Sequence, residues 1–194
     1  MRAAVTNCDR TRFGPVVKAP RWHRLADDEL TLELGGPRQT LSRTVDPRAT
    51  AADPVVASTL RGRGCITTTL PSGAGVATYS APVERSMTLI GLPRLRLRYR
   101  ALASDIQLNS RLWDVSPDGT QTLVTRGAYR ALRPAAGGDT ADYELFGNAW
   151  TFEPGHRLLL EVTQDDSTYL RADNFLSSAT IDGAQLTLPL RKAP

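Results

Sequence analysis

Residues 112–130, Leu-Trp-Asp-Val-Ser-Pro-Asp-Gly-Thr-Gln-Thr-Leu-Val-Thr-Arg-Gly-Ala-Tyr-Arg, decide the fold class of this chain. Two apolar runs flank Ser116-Pro117-Asp118-Gly119, in which the proline fixes φ at the first corner, the aspartate can bond to nearby backbone and the glycine accepts a positive φ. The stretch therefore predicts a strand, a tight turn and a second strand. We expect a further break at Gly127. The middle of the chain is predicted to be antiparallel sheet built from local hairpins.

Segments on either side of this hairpin also alternate between apolar and polar residues. Residues 29–34 are Glu-Leu-Thr-Leu-Glu-Leu, a pattern that predicts a half-buried strand, and Gly35 follows as a stop. In residues 94–100 the two leucines and the tyrosine fall on one face of a strand, and the arginines fall on the other. We expect residues 143–150 to form one strand and Asp182-Gly183 to form the turn of a C-terminal hairpin.

The spacing of these segments predicts the architecture. About nine or ten short strands follow one another every 8–12 residues or so, which is typical of sandwiches and barrels, and no helical period competes with them. The sequence therefore predicts an all-β fold, an antiparallel jelly-roll β-sandwich, in one domain. We expect residues 1–63 to form an irregular strap with one or two strands, residues 37–62 to lie over the surface, and residues 64–194 to form the sandwich core.

Composition limits the partners and the compartment. The net charge of +4 is too small and too dispersed to indicate nucleic acid. No apolar run approaches the ~20 residues that span a bilayer, and residues 1–5 lack the apolar centre of a signal peptide, so we predict no membrane partner and leave the compartment open. Cys8 and Cys65 fit no metal or redox spacing, and two free thiols are favoured over a disulfide.

The sequence lacks the motifs that usually carry catalysis. No serine lies in a Gly-x-Ser-x-Gly turn, no glycine-rich loop suits a phosphate, and neither His23 nor His156 has a ligand-like neighbour. We therefore predict no catalytic residue, no cofactor site and no metal site in this chain.

Two features leave a chemical alternative open. His156 could act as a base, but without a nearby nucleophile we favour a residue at the entry of a strand whose ring nitrogen bonds to neighbouring backbone. Asp165, Asp166 and Asp173 could hold Ca²⁺ through oxygen ligands, although we favour a solvated loop.

Arginine and tryptophan side chains are the candidates for binding a partner. The arginines of residues 94–100 could meet an acidic surface or a polysaccharide, lie under another domain, or form the wet face of a half-buried strand. Exposed tryptophans stack on sugar rings in carbohydrate-binding modules, but we expect Trp113 and Trp150 to be core residues and leave Trp22 open. The candidate ligand or interface surface is therefore Trp22, Arg94, Arg96 and Arg98.

Two motifs together resemble a known family. Residues 112–119, Leu-Trp-Asp-Val-Ser-Pro-Asp-Gly, run on to Arg-Gly-Ala-Tyr-Arg at 126–130, and residues 152–158 are Phe-Glu-Pro-Gly-His-Arg-Leu. Supporting pieces are Gly-Leu-Pro at 91–93 and Leu-Thr-Leu-Pro-Leu at 186–190. This combination resembles the C-terminal domain of the Xaa-Pro dipeptidyl-peptidase and cocaine-esterase family of serine hydrolases.

The resemblance covers roughly residues 64–190 and implies both a fold and a partner. It implies a jelly-roll sandwich similar to galactose-binding domains, which in that family follows an α/β-hydrolase domain with a Ser-Asp-His triad. The sandwich would pack on that catalytic domain and help to shape its active site. Because this chain holds no such hydrolase domain, the triad matches no residue here, and a non-catalytic accessory domain is expected. A stand-alone carbohydrate-binding module is the alternative.

Overall fold

The computed structural model describes residues 1–9, 14–43, 46–52, 64–166, 169–171 and 177–192. Over these residues the chain forms fourteen strands, one turn of 3-10 helix (Trp22–Arg24) and one helix, α1 (Pro47–Ala51). Neither helical segment is long or apolar enough to cross a membrane. The strands are β1 (Arg2–Ala4), β2 (Val16–Lys18), β3 (Asp28–Leu34), β4 (Gln39–Ser42), β5 (Thr67–Thr68), β6 (Ala77–Pro82), β7 (Met87–Gly91), β8 (Arg94–Ala101), β9 (Asp105–Val115), β10 (Gln121–Leu132), β11 (Asp139–Glu144), β12 (Asn148–Phe152), β13 (Arg157–Thr163) and β14 (Ser178–Arg191).

Two antiparallel sheets form the sandwich. The five-stranded sheet has the order β5-β10-β9-β13-β6. The seven-stranded sheet has the order β11-β8-β14-β7-β12, with β3 and β4 also paired to β14. The short strands β1 and β2 pair with each other. The predicted all-β, antiparallel sandwich is confirmed.

One apolar core fills the space between the two sheets, and alternate residues of β8 and β9 supply its centre. Fully burying a side chain of this size contributes about 1.5–3 kcal/mol. A slip of β8 by one residue would exchange these leucines for arginines, so the core face fixes the register of the strand. The core residues of these two strands are each at most 1% exposed: Leu95, Leu97, Tyr99, Ile106, Leu108 and Leu112.

The central hairpin forms as the sequence predicts, between β9 and β10. The backbone N–H of Gly119 donates to the carbonyl of Ser116 at 2.9 Å, and Gly119 has φ of +84°. The Asp118 carboxylate accepts bonds from the Ser116 hydroxyl at 2.7 Å and the Thr120 N–H at 2.9 Å. These bonds, that of Ser116 first, lower the pKa of Asp118. The turn is therefore held by the side chain that the sequence singles out.

Two predicted interruptions do not occur, and close packing explains both glycines. β10 runs through Gly127, where an ideal Cβ would lie 2.8 Å from Cδ2 of Leu145. β14 runs through Asp182-Gly183 without a hairpin and shifts register there against β8, which is a bulge. At Gly183 an ideal Cβ would lie 3.1 Å from the guanidinium carbon of Arg98. Glycine at both sites provides room for a neighbour.

The predicted single strand over residues 143–150 is also wrong. The chain leaves β11 at Glu144 and enters β12 at Asn148, and the two strands occupy opposite ends of the seven-stranded sheet. Leu145, between them, is fully buried and donates its backbone N–H to the carbonyl of Pro93 at 2.7 Å. The apolar Leu145 is therefore a buried residue of the connection between β11 and β12, and it does not continue a strand.

The first 63 residues contribute more regular structure than predicted. β3 pairs with β14 over seven residue pairs, as expected for an alternating strand. β4 also pairs with β14, although no period was visible in residues 37–62, and α1 follows it. Residues 53–63 lie outside the described part of the chain. The boundary between a strap and a core at residues 63 and 64 stays a prediction.

The two cysteines form a disulfide, so the prediction of free thiols is wrong. The Cα atoms of Cys8 and Cys65 are 4.9 Å apart, and the bond joins residues separated by 57 positions. The backbone N–H of Gly64 also donates to the carbonyl of Cys8 at 3.2 Å. Sequence spacing could not reveal this pairing, because the two cysteines are 57 positions apart and fit no short motif.

Candidate interaction surfaces

The outer face of the seven-stranded sheet carries the arginines of β8. Along this strand each arginine is exposed and each residue between two arginines is buried, which confirms the predicted alternation. The Nε and Nη2 atoms of Arg94 donate to the two carboxylate oxygens of Asp142 at 2.6 and 2.9 Å. This hydrogen bonding lowers the pKa of Asp142. At the other end of the strand, Arg100 Nε donates to Asp182 at 3.1 Å.

Three adjoining hollows run along β8 on this face, and together we call them the β8 trough. Their volumes are about 440, 270 and 210 Å³. The first and second hollows share Arg96 and Gln185, and the second and third share Arg98 and Thr140. The structure therefore places three of the predicted surface residues, Arg94, Arg96 and Arg98, in the lining of these adjoining hollows.

The three tryptophans occupy different environments. Trp113 is fully buried and Trp150 is 9% exposed, as predicted for core residues. Each indole N–H has a carboxylate partner, Glu161 at 2.7 Å for Trp113 and Asp114 at 3.0 Å for Trp150. Trp22 is 50% exposed and does not line the β8 trough. The carbohydrate-binding alternative stays a prediction that rests on this one exposed ring.

A second surface is apolar. A groove of about 230 Å³, which we call the Phe146 groove, is lined by Ile66, Leu123, Phe146 and Tyr169. Phe146 is 53% exposed and meets the ring of Tyr169 edge-on at 6.2 Å. The guanidinium of Arg126 lies 4.1 Å from the centre of the Tyr169 ring and holds one wall of the groove in place. Sequence analysis did not identify this surface, because its residues come from four separate segments.

Residues 46–52 lie over the middle of the outer face of the five-stranded sheet. Ala52 packs there against Trp113 and Val115 in a small apolar cluster. Beside that cluster lies a group of charged side chains that we call the ion cluster. Three cations and three anions make it neutral, and each member is at most 6% exposed: Asp46, Arg48, Arg111, Arg126, Glu161 and Asp166.

Arg111 lies at the centre of the ion cluster. It pairs with Asp46, and its Nε atom is 3.1 Å from Oε2 of Glu161. Its Nη1 atom is 3.5 Å from Oδ1 of Asp166. Arg48 also pairs with Glu161, and its guanidinium lies 4.5 Å above the ring of Trp113. Because each charge has a partner of opposite sign, the cluster offsets much of the cost of removing these groups from water.

The position of Asp166 corrects a prediction. The expected solvated loop would expose this carboxylate, but Asp166 is 1% exposed and lies 3.3 Å from Nη1 of Arg126. Burial raises the pKa of Asp166, although both arginines oppose the shift. Among the described residues no group of histidine, cysteine and carboxylate side chains could hold a metal ion. Asp173 lies outside the described residues.

His156 immediately precedes β13, as predicted, but its ring bonds to a side chain. Its Nδ1 atom is 2.8 Å from Oδ1 of Asp114, a residue 42 positions earlier, so the predicted bond to neighbouring backbone is wrong. The other oxygen of Asp114 accepts the indole N–H of Trp150. Asp114 is 5% exposed, and its two bonds connect His156 to Trp150 at the edge of the core. This arrangement orients the histidine and joins the two sheets.

The fold of this chain also occurs as a part of longer solved proteins. The chain is similar to a CocE/NonD family hydrolase from Staphylococcus aureus, with a TM-score of 0.65 and 11% identity over 97% of this chain and 41% of that one. It is similar to an aminopeptidase from a marine sediment archaeon, Thaumarchaeota archaeon, with a TM-score of 0.63 and 13% identity over 99% of this chain and 37% of that one. An alpha-amino acid ester hydrolase gives a TM-score of 0.51 and 18% identity over 86% of this chain and 33% of that one.

These structures share the fold, and the chain spans about two-fifths of their length or less. Among curated proteins, none matches the sequence significantly. A family model, in contrast, matches residues 9–188, which is nearly the whole chain. The chain belongs to the family described as the X-Pro dipeptidyl-peptidase C-terminal non-catalytic domain.

Proposed function

We propose that this chain is the accessory domain of a serine hydrolase of the dipeptidyl-peptidase or acyl-esterase type, and that it packs on an α/β-hydrolase domain and shapes its active-site region. The single observation that carries this proposal is the family match over residues 9–188. The similar hydrolases support it, because this chain accounts for 37–41% of the length of the first two. The remainder of such a protein would supply the nucleophile and its base.

The Phe146 groove is the surface that we assign to the contact with the catalytic domain. Exposed apolar side chains lie close together there, since Leu92 is 37% exposed and an ideal Cβ on Gly147 would lie 3.7 Å from its Cγ atom. Clustered apolar side chains of this kind usually mark an interaction surface. Leu102 and Leu132 are more exposed, at 83% and 72%, but line none of the hollows described here. They serve as controls.

The first test separates an accessory domain from an enzyme. The purified chain is assayed with an activated ester and with an Xaa-Pro chromogenic substrate, and we expect no turnover above buffer. The α/β-hydrolase domain encoded with this chain is then expressed with and without it. We expect the hydrolase domain alone to melt at a lower temperature and to lose most of its activity, and the added chain to restore both.

The second test concerns the assigned surface. Phe146→Glu is expected to weaken the association of the two domains at least tenfold, about 1.4 kcal/mol or more, because it places a charge in an apolar contact. Leu132→Glu, which makes the same change in charge at an isolated position, should leave association unchanged. Turnover by the isolated chain, or a hydrolase domain that is fully active and stable alone, would contradict the proposed function. Equal effects of the two variants would contradict only the assigned surface.

A further inference from the structure

The charges of the β8 trough are unevenly neutralised. Arg94 and Arg100, toward the two ends, are bonded to Asp142 and Asp182. The side chains of Arg96 and Arg98, between them, make no hydrogen bond or ion pair with any residue that the structure describes. Asp142, which stands opposite Arg96 on β11, lies close enough for the two charges to attract each other. The centre of the trough therefore presents two adjacent guanidinium groups without a bonded partner among the described residues.

The spacing of these two arginines matches that of an extended peptide. Alternate residues of a strand project to the same side and lie about 6.6–6.8 Å apart, and any extended chain has the same repeat. An extended segment that runs along β8 would therefore present acidic side chains at alternate positions to Arg96 and Arg98 together. A guanidinium can hold a carboxylate through two parallel N–H bonds, so each pair would be directional.

The bulge in β14 positions one of the two arginines. Because Gly183 has no side chain, the guanidinium of Arg98 can lie low over β14, where an ideal Cβ would be 3.1 Å from its carbon. Thr140 lines the same hollow and offers a hydroxyl beside the guanidinium groups, and the amide of Gln185, also in the lining, donates to the carboxylate of Glu33. The hollow thus combines two guanidinium groups with neutral hydrogen-bonding groups and the carboxylate of Glu33.

The rest of the trough favours a protein segment over a polyanion such as an acidic polysaccharide. Glu29 and Glu33 of β3 line the same hollows, and they would repel a ligand that is negative along its whole length. A peptide can place neutral or basic residues opposite these glutamates, and interfaces between proteins commonly match charges of both signs in this way. No aromatic platform for a sugar ring lies among the residues that line the two hollows around Arg96.

We propose that Arg96 and Arg98 bind two alternate carboxylates of an extended acidic segment on a partner protein, which lies in the β8 trough along β8. This site is distinct from the Phe146 groove and does not depend on the proposed accessory function. Recognition is through side chains, because β8 is paired on both edges and offers no free strand edge.

The test uses this chain and two synthetic peptides of identical composition. One peptide alternates glutamate with threonine, and the other carries the same glutamates in adjacent pairs separated by two threonines, so that no two glutamates stand at alternate positions. Each is titrated into the ¹⁵N-labelled protein at low salt and followed by NMR. We expect the alternating peptide to bind about fivefold more tightly, with shifts along β8 and β14, and to weaken as salt screens the pairs. R96Q/R98Q should lose about tenfold in affinity.

The control variant R85Q/R157Q removes the same charge from exposed positions on other elements, and should retain the affinity of the unmodified protein. Equal binding of the two peptides would mean that net charge alone attracts them and would overturn the proposal. So would unchanged binding by R96Q/R98Q. Polygalacturonate is tested in parallel, and tighter binding of this polymer through Arg96 and Arg98 would identify a polysaccharide site instead. The thermal melting of each variant confirms that it is folded.

Discussion

The outer faces of the two sheets carry the same kind of residue in opposite environments. Arg111 of β9 and Arg96 of β8 both point away from the core between the sheets. Arg111 is fully buried beneath residues 46–52 and is surrounded by carboxylates, whereas Arg96 faces solvent in the β8 trough. The comparison shows that a strand pattern assigns an arginine to a face, but that the segment lying over the face decides whether the charge is structural or free to bind.

Removing a central charge from the covered face should have the largest effect. Arg111→Leu leaves the carboxylates of Asp46, Glu161 and Asp166 buried with one cation fewer, and we expect it to lower the free energy of unfolding by about 3–5 kcal/mol. Arg96→Leu, on the open face, should change it by at most about 0.5 kcal/mol. Urea unfolding followed by circular dichroism measures both. Similar midpoints for the two variants would remove the distinction between the faces.

Local sequence signals predicted the fold because they depend on the two-residue period of a strand. The alternation in β3 and β8 and the turn chemistry at Ser116–Gly119 each act within a few residues, and each is confirmed. The interruptions expected at Gly127 and Gly183 failed for the converse reason. A glycine that opens a turn and a glycine that admits a distant side chain have the same letter in a sequence.

The ion cluster was beyond sequence analysis because its partners are far apart. Asp46 and Arg111 are separated by 65 positions and Arg48 and Glu161 by 113, so no short pattern links them. One signal was present in β9, where Trp113 and Val115 share a face with Arg111. Large apolar residues on the face opposite Leu112 indicate a strand that is buried on both sides, and a charge there must find a partner.

The disulfide fastens the chain next to the covered face, and its loss should have the second-largest effect. Cys65 precedes Ile66, which packs beside the apolar cluster of Trp113. Because the bond restricts the unfolded chain over 57 positions, C8A/C65A should lower the free energy of unfolding by about 2–4 kcal/mol. The thermal midpoint is measured with and without dithiothreitol. The reductant should lower the thermal midpoint of the unmodified protein and leave that of the variant unchanged. An unmodified protein whose midpoint does not respond to the reductant would mean that the cysteines are free.

The two misjudged glycines extend the comparison to smaller effects. Gly127→Ala would place a Cβ 2.8 Å from Cδ2 and 3.1 Å from Cα of Leu145, so buried backbone must move, and we expect a cost of about 1–3 kcal/mol. Gly183→Ala meets the end of a flexible, exposed Arg98 side chain, and should cost about 0.5 kcal/mol or less. Chemical denaturation of both variants ranks them. Equal costs would show that the β8 trough is packed as tightly at Gly183 as the core between the sheets is at Leu145.

The covered face should also respond to pH in a specific direction. Burial raises the pKa of Asp166, so the folded protein holds this proton more tightly than the unfolded chain does. Its contribution to stability is therefore complete below the unfolded pKa and is lost as pH rises through the folded pKa. Asp166→Asn should flatten the fall in stability over that window, even if its overall stability is lower. An unchanged slope between the two proteins would contradict the assignment.

The open face should respond in the opposite direction and more weakly. Hydrogen bonds from Arg94 lower the pKa of Asp142, so this pair contributes stability above the unfolded pKa, and the contribution is lost as pH falls through the folded pKa. Asp142 borders the solvent-filled β8 trough, so salt screens the pair and the effect should be the smallest of the series. Asp142→Asn should flatten the acid side of the stability profile at low salt and make no difference at high salt. If the difference persists at high salt, Arg94 and Asp142 are shielded from solvent. The outer face of the seven-stranded sheet is then less exposed than a binding surface needs to be.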